Sequence, residues 1–179
     1  MSEQLTHPFD SIVFPDTEIL ILGTFPSVDS FEKAFYYAHP RNQFWPILSK
    51  LTGYPVNNRD QKIWLLKEAK IGLWDMVAGC SRSNSLDSSL RGIEVNDIPG
   101  LLERHRGIRK VLFTGRKAQE LFEQHFGDLE ISRDYLPSPS PAYAAMSFEE
   151  KMAEYAEKLS EILHSPFSIL HSNSKGVRS

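Results

Sequence analysis

The sequence predicts a single α/β domain of three layers, with helices on both faces of a short, mainly parallel sheet, and three observations predict it. Short, continuous apolar runs without polar alternation read as strands buried on both faces. They alternate with longer segments whose apolar residues recur at spacings of three and four, the pattern of helices with one covered side. Strand, helix and strand in succession make βαβ units with right-handed crossovers, and such units need a sheet covered on both sides.

The first strand is Glu18-Ile19-Leu20-Ile21-Leu22, which stops at Gly23, Pro26 and Ser27. Helices are predicted over Asn42 to Leu51 and Gln61 to Ala69, then a strand over Ile71 to Val77 and a helix over Asp97 to Arg104. Ile108 to Phe113 reads as a second central strand, apolar at Val111-Leu112-Phe113 and stopped at Thr114-Gly115. A helix over Lys117 to Phe126 and a weaker strand over Leu129 to Leu136, closed by Pro137, follow. The last helix spans Ser147 to Leu163. There Ser147 and Glu150 have capping-box spacing, and Met152, Tyr155, Ala156, Leu159, Ile162 and Leu163 form one stripe. The domain is assigned to residues 1–165, and the small, polar residues 166–179 are expected to be a mobile tail.

Composition narrows the class of function. With 179 residues, 41% hydrophobic and 11% aromatic, the chain can bury one core. Met1 to Leu5 has neither the basic nor the apolar part of a leader, and no apolar run approaches the ~20 residues that span a bilayer. A soluble, cytoplasmic protein without membrane contact is expected. Cys80 is the single cysteine, which excludes an internal disulfide and any iron–sulfur or zinc centre built from several thiolates. A net charge of −3 is not that of a protein holding long nucleic acid by bulk electrostatics, so any DNA-binding surface must be local. The run Arg104, Arg106, Arg109, Lys110, Arg116 and Lys117 is a local candidate, although such runs are more often solvated faces.

In an open parallel sheet, ligands bind beyond the carboxyl ends of the strands, so unusual residues there carry the functional signal. Gly23-Thr24-Phe25-Pro26-Ser27 and Thr114-Gly115-Arg116 are two such places. Leu136-Pro137-Ser138-Pro139-Ser140-Pro141 is a third, a stiff loop with two hydroxyls that loses little entropy on gripping a ligand. Tyr36-Tyr37-Ala38-His39-Pro40-Arg41-Asn42-Gln43-Phe44-Trp45 is the most unusual, because core packing does not call for four aromatics, a histidine, an arginine and two amides in ten residues. Pro40 ahead of a helix places Arg41 and Asn42 at a terminus with spare N–H groups and positive dipole.

Together, in this order and spacing, Gly23 to Ser27, Tyr36 to Trp45 and Leu136 to Ser138 resemble the uracil-DNA glycosylase superfamily, and within it the hypoxanthine (deoxyinosine) branch. The likeness runs from about Thr17 to Leu163. It implies a compact α/β fold with a short parallel sheet, acting on DNA as a monomer without metal or other cofactor. It also implies removal of a deaminated base, hypoxanthine, by hydrolysis of its N-glycosidic bond. By this resemblance Asn42 supplies the catalytic amide, with His39 as a second catalytic candidate. The chain departs from other branches at two points, with Phe25 where the mismatch-specific uracil branch has asparagine and Leu136 where several branches have histidine. It departs from the hypoxanthine branch at Thr114, where a second asparagine is common near the end of the third strand.

On this reading Gly23, Thr24, Phe25, Pro26, Ser27, Tyr37 and Thr114 form the base pocket. Phe25 stacks on an everted base, worth roughly 1 to 3 kcal/mol. Backbone N–H groups of the Gly23 to Ser27 turn stabilise charge on the departing base. Arg41, Arg116, Lys117, Ser138, Ser140 and Tyr143 contact DNA, the two serines at phosphates. Tyr143 or Met146 fills the vacated stack, and Asp75 either steers water or is a buried turn aspartate. Two other readings stay open: a uracil or thymine mismatch glycosylase, and a non-catalytic nucleotide-binding module, against which no phosphate-cradling glycine motif is found.

Overall fold

The computed structural model describes residues 4–163, so the assigned tail over 166–179 and the end of the assigned domain lie outside the described residues. In chain order the strands are β1 (Leu5–Thr6), β2 (Ile19–Gly23), β3 (Ile71–Asp75), β4 (Val77–Ser81), β5 (Arg91–Val95), β6 (Lys110–Thr114) and β7 (Ser132–Leu136). The helices are α1 (Val28–Lys33), α2 (Phe44–Thr52), α3 (Arg59–Ala69), α4 (Ile98–Arg104), α5 (Arg116–Phe126), α6 (Phe148–Lys158) and α7 (Ser160–Leu163).

Four strands pair in parallel in the order β3-β2-β6-β7. Every residue of β2 is buried, as its unbroken apolar run requires of a central strand. Alternate β2 residues feed two cores. Ile19 and Ile21 pack with Phe44, Leu48, Leu65 and Tyr155 on one face, and Leu20 and Leu22 with Ile98, Leu101, Leu121 and Phe122 on the other. Helices α2, α3 and α6 therefore cover one side, and α4 and α5 the other, in the three layers the sequence predicts. From β2 the chain crosses to β3 on one flank and later to β6 on the opposite flank. That reversal opens a crevice at the carboxyl end of β2.

The predicted strand Ile71 to Val77 is in fact two. Met76 N bonds Gly23 O at 2.8 Å and Val77 N bonds Thr24 O at 3.0 Å, which turns the chain out of the parallel sheet after Asp75. The β4 strand then enters an antiparallel sheet of order β1-β4-β5 that the apolar pattern did not reveal, because β1 has two residues and β5 alternates exposed and half-covered ones. The helix expected from Asn42 begins at Phe44. The amides of Asn42 and Gln43 are diverted to His39 O at 2.9 Å and Pro139 O at 3.0 Å. The last helix has its capping box but breaks at Leu159, and its buried stripe includes Lys151, while Met152, Ala156 and Leu163 are only partly covered. Helix α1, capped by Ser27, is too short to show a helical period in the sequence.

Candidate active site

A cavity of about 600 Å³ occupies the crevice at the carboxyl ends of β2, β3 and β6. Its floor is built on Gly23. A β-carbon there would collide with Asp75 Oδ1 and stand 3.4 Å from both Thr114 Oγ1 and Tyr37 Oη, so the last residue of β2 must be glycine for three polar groups to converge above it. Asp75 is 5% exposed and pairs with His7 Nε2 at 2.7 Å, its Oδ2 thus occupied. Tyr37 Oη and Thr114 Oγ1 lie 2.9 Å apart. Burial, with the Asp75 charge second, pushes the Tyr37 phenol well above its usual range, so it remains an uncharged hydroxyl. Its ring stacks on Phe44 at 3.9 Å, and its backbone is held at φ +53°. A bulky residue in the left-handed region stores about 1–3 kcal/mol of strain, which the surrounding packing must over-determine.

One wall is the turn after β2. The carbonyls of Gly23 and Thr24 are taken by the Met76 and Val77 amides as described, whereas the Phe25 and Ser27 amides have no protein acceptor among the described residues. Arg82 donates to Pro26 O and places its guanidinium 5.0 Å from the centre of the Phe25 ring, bracing the turn from behind. Phe25 is 9% exposed and contributes its uncovered part to the cavity. Beside it Thr24 Oγ1 donates to Asp87 Oδ2 at 3.1 Å. The wall from β6 continues into the N-terminus of α5. There Gly115 adopts φ +105°, and Arg116 and Lys117 stand at the positive end of the helix, a setting that attracts anions.

The opposite wall is the proline loop after β7, and hydrogen bonds fix it from several sides. Ser138 Oγ accepts from Ser140 N at 3.3 Å and Ser140 Oγ from Ala142 N at 3.2 Å, while Tyr155 Oη donates to Pro137 O at 2.9 Å. Lys151, only 1% exposed, extends Nζ to Tyr143 O at 2.8 Å and Ser140 O at 3.5 Å; burial lowers its affinity for a proton. A lysine buried in a helix stripe is costly unless its charge has partners, so its occupation is that of a staple. Replacing Lys151 by methionine should keep the helix and release the loop. Electrophoretic mobility shift should report weaker duplex binding by about 1–3 kcal/mol, the range for a lost hydrogen bond to a charged group.

The third wall is the turn before α2. Asn42 lines the cavity, and its Oδ1 accepts the Phe44 amide at 2.9 Å. That bond fixes the amide orientation and leaves Nδ2 without a partner among the described residues. His39 also lines the cavity; its Nδ1 accepts from Arg41 N at 3.0 Å, and its Nε2 lies 3.7 Å from Asp29 Oδ2. Nδ1 is thus engaged in holding this turn, while Nε2 stands beyond hydrogen-bond distance of Asp29 in α1. Gln43 N donates to Pro139 O, tying the Asn42 turn to the proline loop.

Comparison with known proteins fits this arrangement. Residues 11–164 match the family model of the uracil DNA glycosylase superfamily. The chain belongs to that superfamily. A hypoxanthine DNA glycosylase from Methanosarcina acetivorans is 38% identical over 136 residues, 75% of this chain and 85% of that one. Another from Methanosarcina barkeri is 35% identical over 114 residues, 63% of this chain and 72% of that one. A solution NMR structure of a candidate uracil DNA glycosylase from M. acetivorans superposes with a TM-score of 0.76 at 34% identity, covering 87% of this chain and 97% of that one.

In this superfamily member, the residues chosen from sequence fall around one cavity. Asn42, His39, Gly23, Thr24, Phe25, Pro26, Ser27, Tyr37 and Thr114 all line it, as do Ser138, Ser140, Tyr143, Arg116 and Lys117. Arg41 does not: it is exposed on the turn outside. The basic run divides, because Lys110 opens β6 and Arg116 follows its far end. Only Arg116 and Lys117 reach the cavity, and Arg109 pairs instead with Glu161 at 2.9 Å. Sequence reasoning missed Phe9, Tyr36, Ser85, Leu86, Asp87 and Tyr135 on the lining. Phe9 and Ser85 to Asp87 come from loops without apolar period or motif, so no signal marked them. Tyr135 was legible only as a strand residue; Arg116 stacks on its ring at 4.0 Å. Among the described residues, no group of three or more His, Cys, Asp or Glu could hold a metal ion, and no helix is long and apolar enough to cross a membrane.

Proposed function

We propose that this chain is a monofunctional DNA glycosylase that hydrolyses the N-glycosidic bond of a deaminated purine, hypoxanthine, in base excision repair. The observation that carries the reading is the Asn42 amide. Its oxygen accepts the Phe44 N–H, which fixes the amide's orientation, and its NH₂ has no partner among the described residues at a cavity of nucleoside size, so it offers a positioned hydrogen-bond donor. Relatives at 35–38% identity that are named hypoxanthine DNA glycosylases support the substrate.

A base stacked in duplex DNA is out of reach, so the nucleotide turns out into the cavity, at a cost of a few kcal/mol that is smaller for a mispaired base. Phe25, braced by Arg82, stacks on the everted ring and offsets part of that cost. Cleavage proceeds through an oxocarbenium-like sugar while negative charge gathers on the base. Asn42 Nδ2 and the free Phe25 and Ser27 amides are donors already in place for that charge, each worth up to ~3 kcal/mol. Arg116, Lys117 and the N-terminus of α5 hold phosphates on one side, with Ser138, Ser140 and Tyr143 on the other. Arg41 reaches the DNA flank from outside, and His39 keeps the Asn42 turn in register. The reading includes action as a monomer in the cytoplasm, with no metal or other cofactor.

A panel of otherwise identical duplexes carrying inosine, xanthine, uracil or a G·T mispair tests this. Alkali cleavage after single-turnover reaction should show inosine strands cut fastest. Faster cutting of uracil strands would move the assignment to the mismatch-uracil reading, and binding without any abasic product would favour a non-catalytic module.

A further inference from the structure

Hydrolysis needs more than a donor for the departing base. The attacking water must be held against the sugar and must lose a proton, and the Asn42 amide, whose oxygen already accepts the Phe44 N–H, is far too weak a base to take that proton. Carboxylates are the evident acceptors, and the cavity lining contains two, Asp75 and Asp87. Asp75 is 5% exposed, with one oxygen on His7 and the other above Gly23.

Asp87 is differently placed. It begins a single 3-10 turn, Asp87–Ser89, in the loop between β4 and β5, and that turn brings its carboxylate back across the ends of β2 and β6. Oδ2 accepts the Thr24 hydroxyl at 3.1 Å and lies 3.8 Å from where a β-carbon on Gly115 would stand. Among the described residues that hydroxyl is its one side-chain partner, and no ion pair neutralises it. A carboxylate offers about four acceptor positions. One is used here, and the others have no protein partner among the described residues on a half-buried group that borders the cavity. The loop also holds Asp87 firmly: Asn84 Oδ1 accepts from Leu86 N at 2.8 Å, and Val28 N donates to Ser85 Oγ at 3.0 Å.

We infer that Asp87 is the group that holds the attacking water and takes its proton, an inference that rests on the glycosylase reading above. The bond from the base nitrogen to C1′ breaks, and its electron pair leaves with the base. The water oxygen bonds to C1′, and the released proton passes to the Asp87 carboxylate. Transfer of that proton onward to the departed base or to solvent restores the carboxylate, so the sum is one water consumed and one neutral base released. Asn42 and Asp87 thus divide the work, the first receiving charge on the base and the second receiving the proton of the water.

The electrostatic setting suits a base of moderate strength. Burial raises the carboxyl above its ordinary range. The Thr24 hydroxyl from the end of β2, Lys117 from α5 and Arg82 from the loop's own start oppose that rise, and Asp75 from β3 adds to it. Because the folded-state value lies above the unfolded one, the folded protein binds more protons, and stability falls as pH climbs through this range. A charged Asp87 therefore destabilises the fold at neutral pH.

Asp87→Asn tests the assignment, since the amide oxygen still accepts from Thr24. Single-turnover release of hypoxanthine from an inosine duplex should slow about 10²-fold. The rise of rate with pH through the Asp87 titration should flatten. His39 is present in both proteins, so a limb lost only in the variant belongs to Asp87. Thermal stability at neutral pH should hold or increase, and affinity for a duplex with a stable abasic analogue should be unchanged. If the wild type releases hypoxanthine and the variant keeps its rate and pH profile, this assignment fails while the glycosylase reading stands. A wild type that releases no base overturns both.

Discussion

Replacing Asn42 by aspartate should slow release of hypoxanthine on the order of 10²–10³-fold, the loss measured when a single preorganised donor is removed from a developing oxyanion. The substitution is chosen for what it preserves. An aspartate oxygen can still accept the Phe44 amide now held at 2.9 Å by Asn42 Oδ1, so the turn into α2 stays tied. What changes is the end facing the cavity, where an NH₂ becomes a carboxylate oxygen and opposes the charge gathering on the base. Asn42→Ala should slow excision comparably and also lose about 1 kcal/mol of stability through the missing hydrogen bond to the Phe44 amide. Single-turnover excision, thermal unfolding and duplex affinity, measured on both variants, separate the two roles. An Asn42→Asp variant with wild-type rate would remove this amide from the chemistry.

The second large effect should come from one methyl group. Gly23→Ala puts a β-carbon into Asp75 Oδ1 and against Tyr37 Oη and Thr114 Oγ1, at the end of a strand buried on both faces. Asp75 cannot retreat freely, because its other oxygen holds His7, and Tyr37 is fixed by its stack on Phe44. Overpacking of this kind costs about 1–3 kcal/mol. The strain falls on the cavity floor, so activity should drop further than stability, by at least about tenfold, since an ångström of misplacement can cost 10²-fold in rate. Denaturant unfolding and single-turnover excision on the same preparation report the two quantities. Gly72, in the neighbouring strand β3, is a useful control, since its crowding involves Thr17, Ile12 and Val13 at the other end of the sheet.

Much of this architecture is written in the apolar pattern. The unbroken run Ile19 to Leu22 can be stable only with both faces covered, which fixes β2 as central and, with the helical periods around it, fixes the layers. The site was legible for the same reason: glycine and proline at strand ends, and the polar aromatic string Tyr36 to Trp45, are residues a core does not need. What was not legible depended on distant partners. The break after Asp75 is made by hydrogen bonds from Met76 and Val77 to the end of β2, and nothing in Ile71 to Val77 encodes it. Lys151 sits where an apolar residue belongs, and only the two carbonyls of the proline loop explain it. Asp87 lies in a serine-rich stretch that reads as connector, and becomes a cavity residue because a short antiparallel sheet folds that loop over Thr24. The basic run was read as one patch because its residues are close in sequence, whereas β6 carries the two halves to opposite ends of the sheet.

The central claim is that water, assisted by the Asn42 amide, replaces a hypoxanthine base at C1′ and leaves the DNA strand whole. Quantitative mass spectrometry of the products formed from an inosine-containing duplex by the wild type and by Asn42→Asp tests it most directly. The expected result is free hypoxanthine and an equal amount of intact strand with an abasic site from the wild type, formed on the order of 10²–10³ times more slowly by the variant. A strand broken before alkali, an unaltered duplex, or a variant that releases the base as fast as the wild type would contradict it.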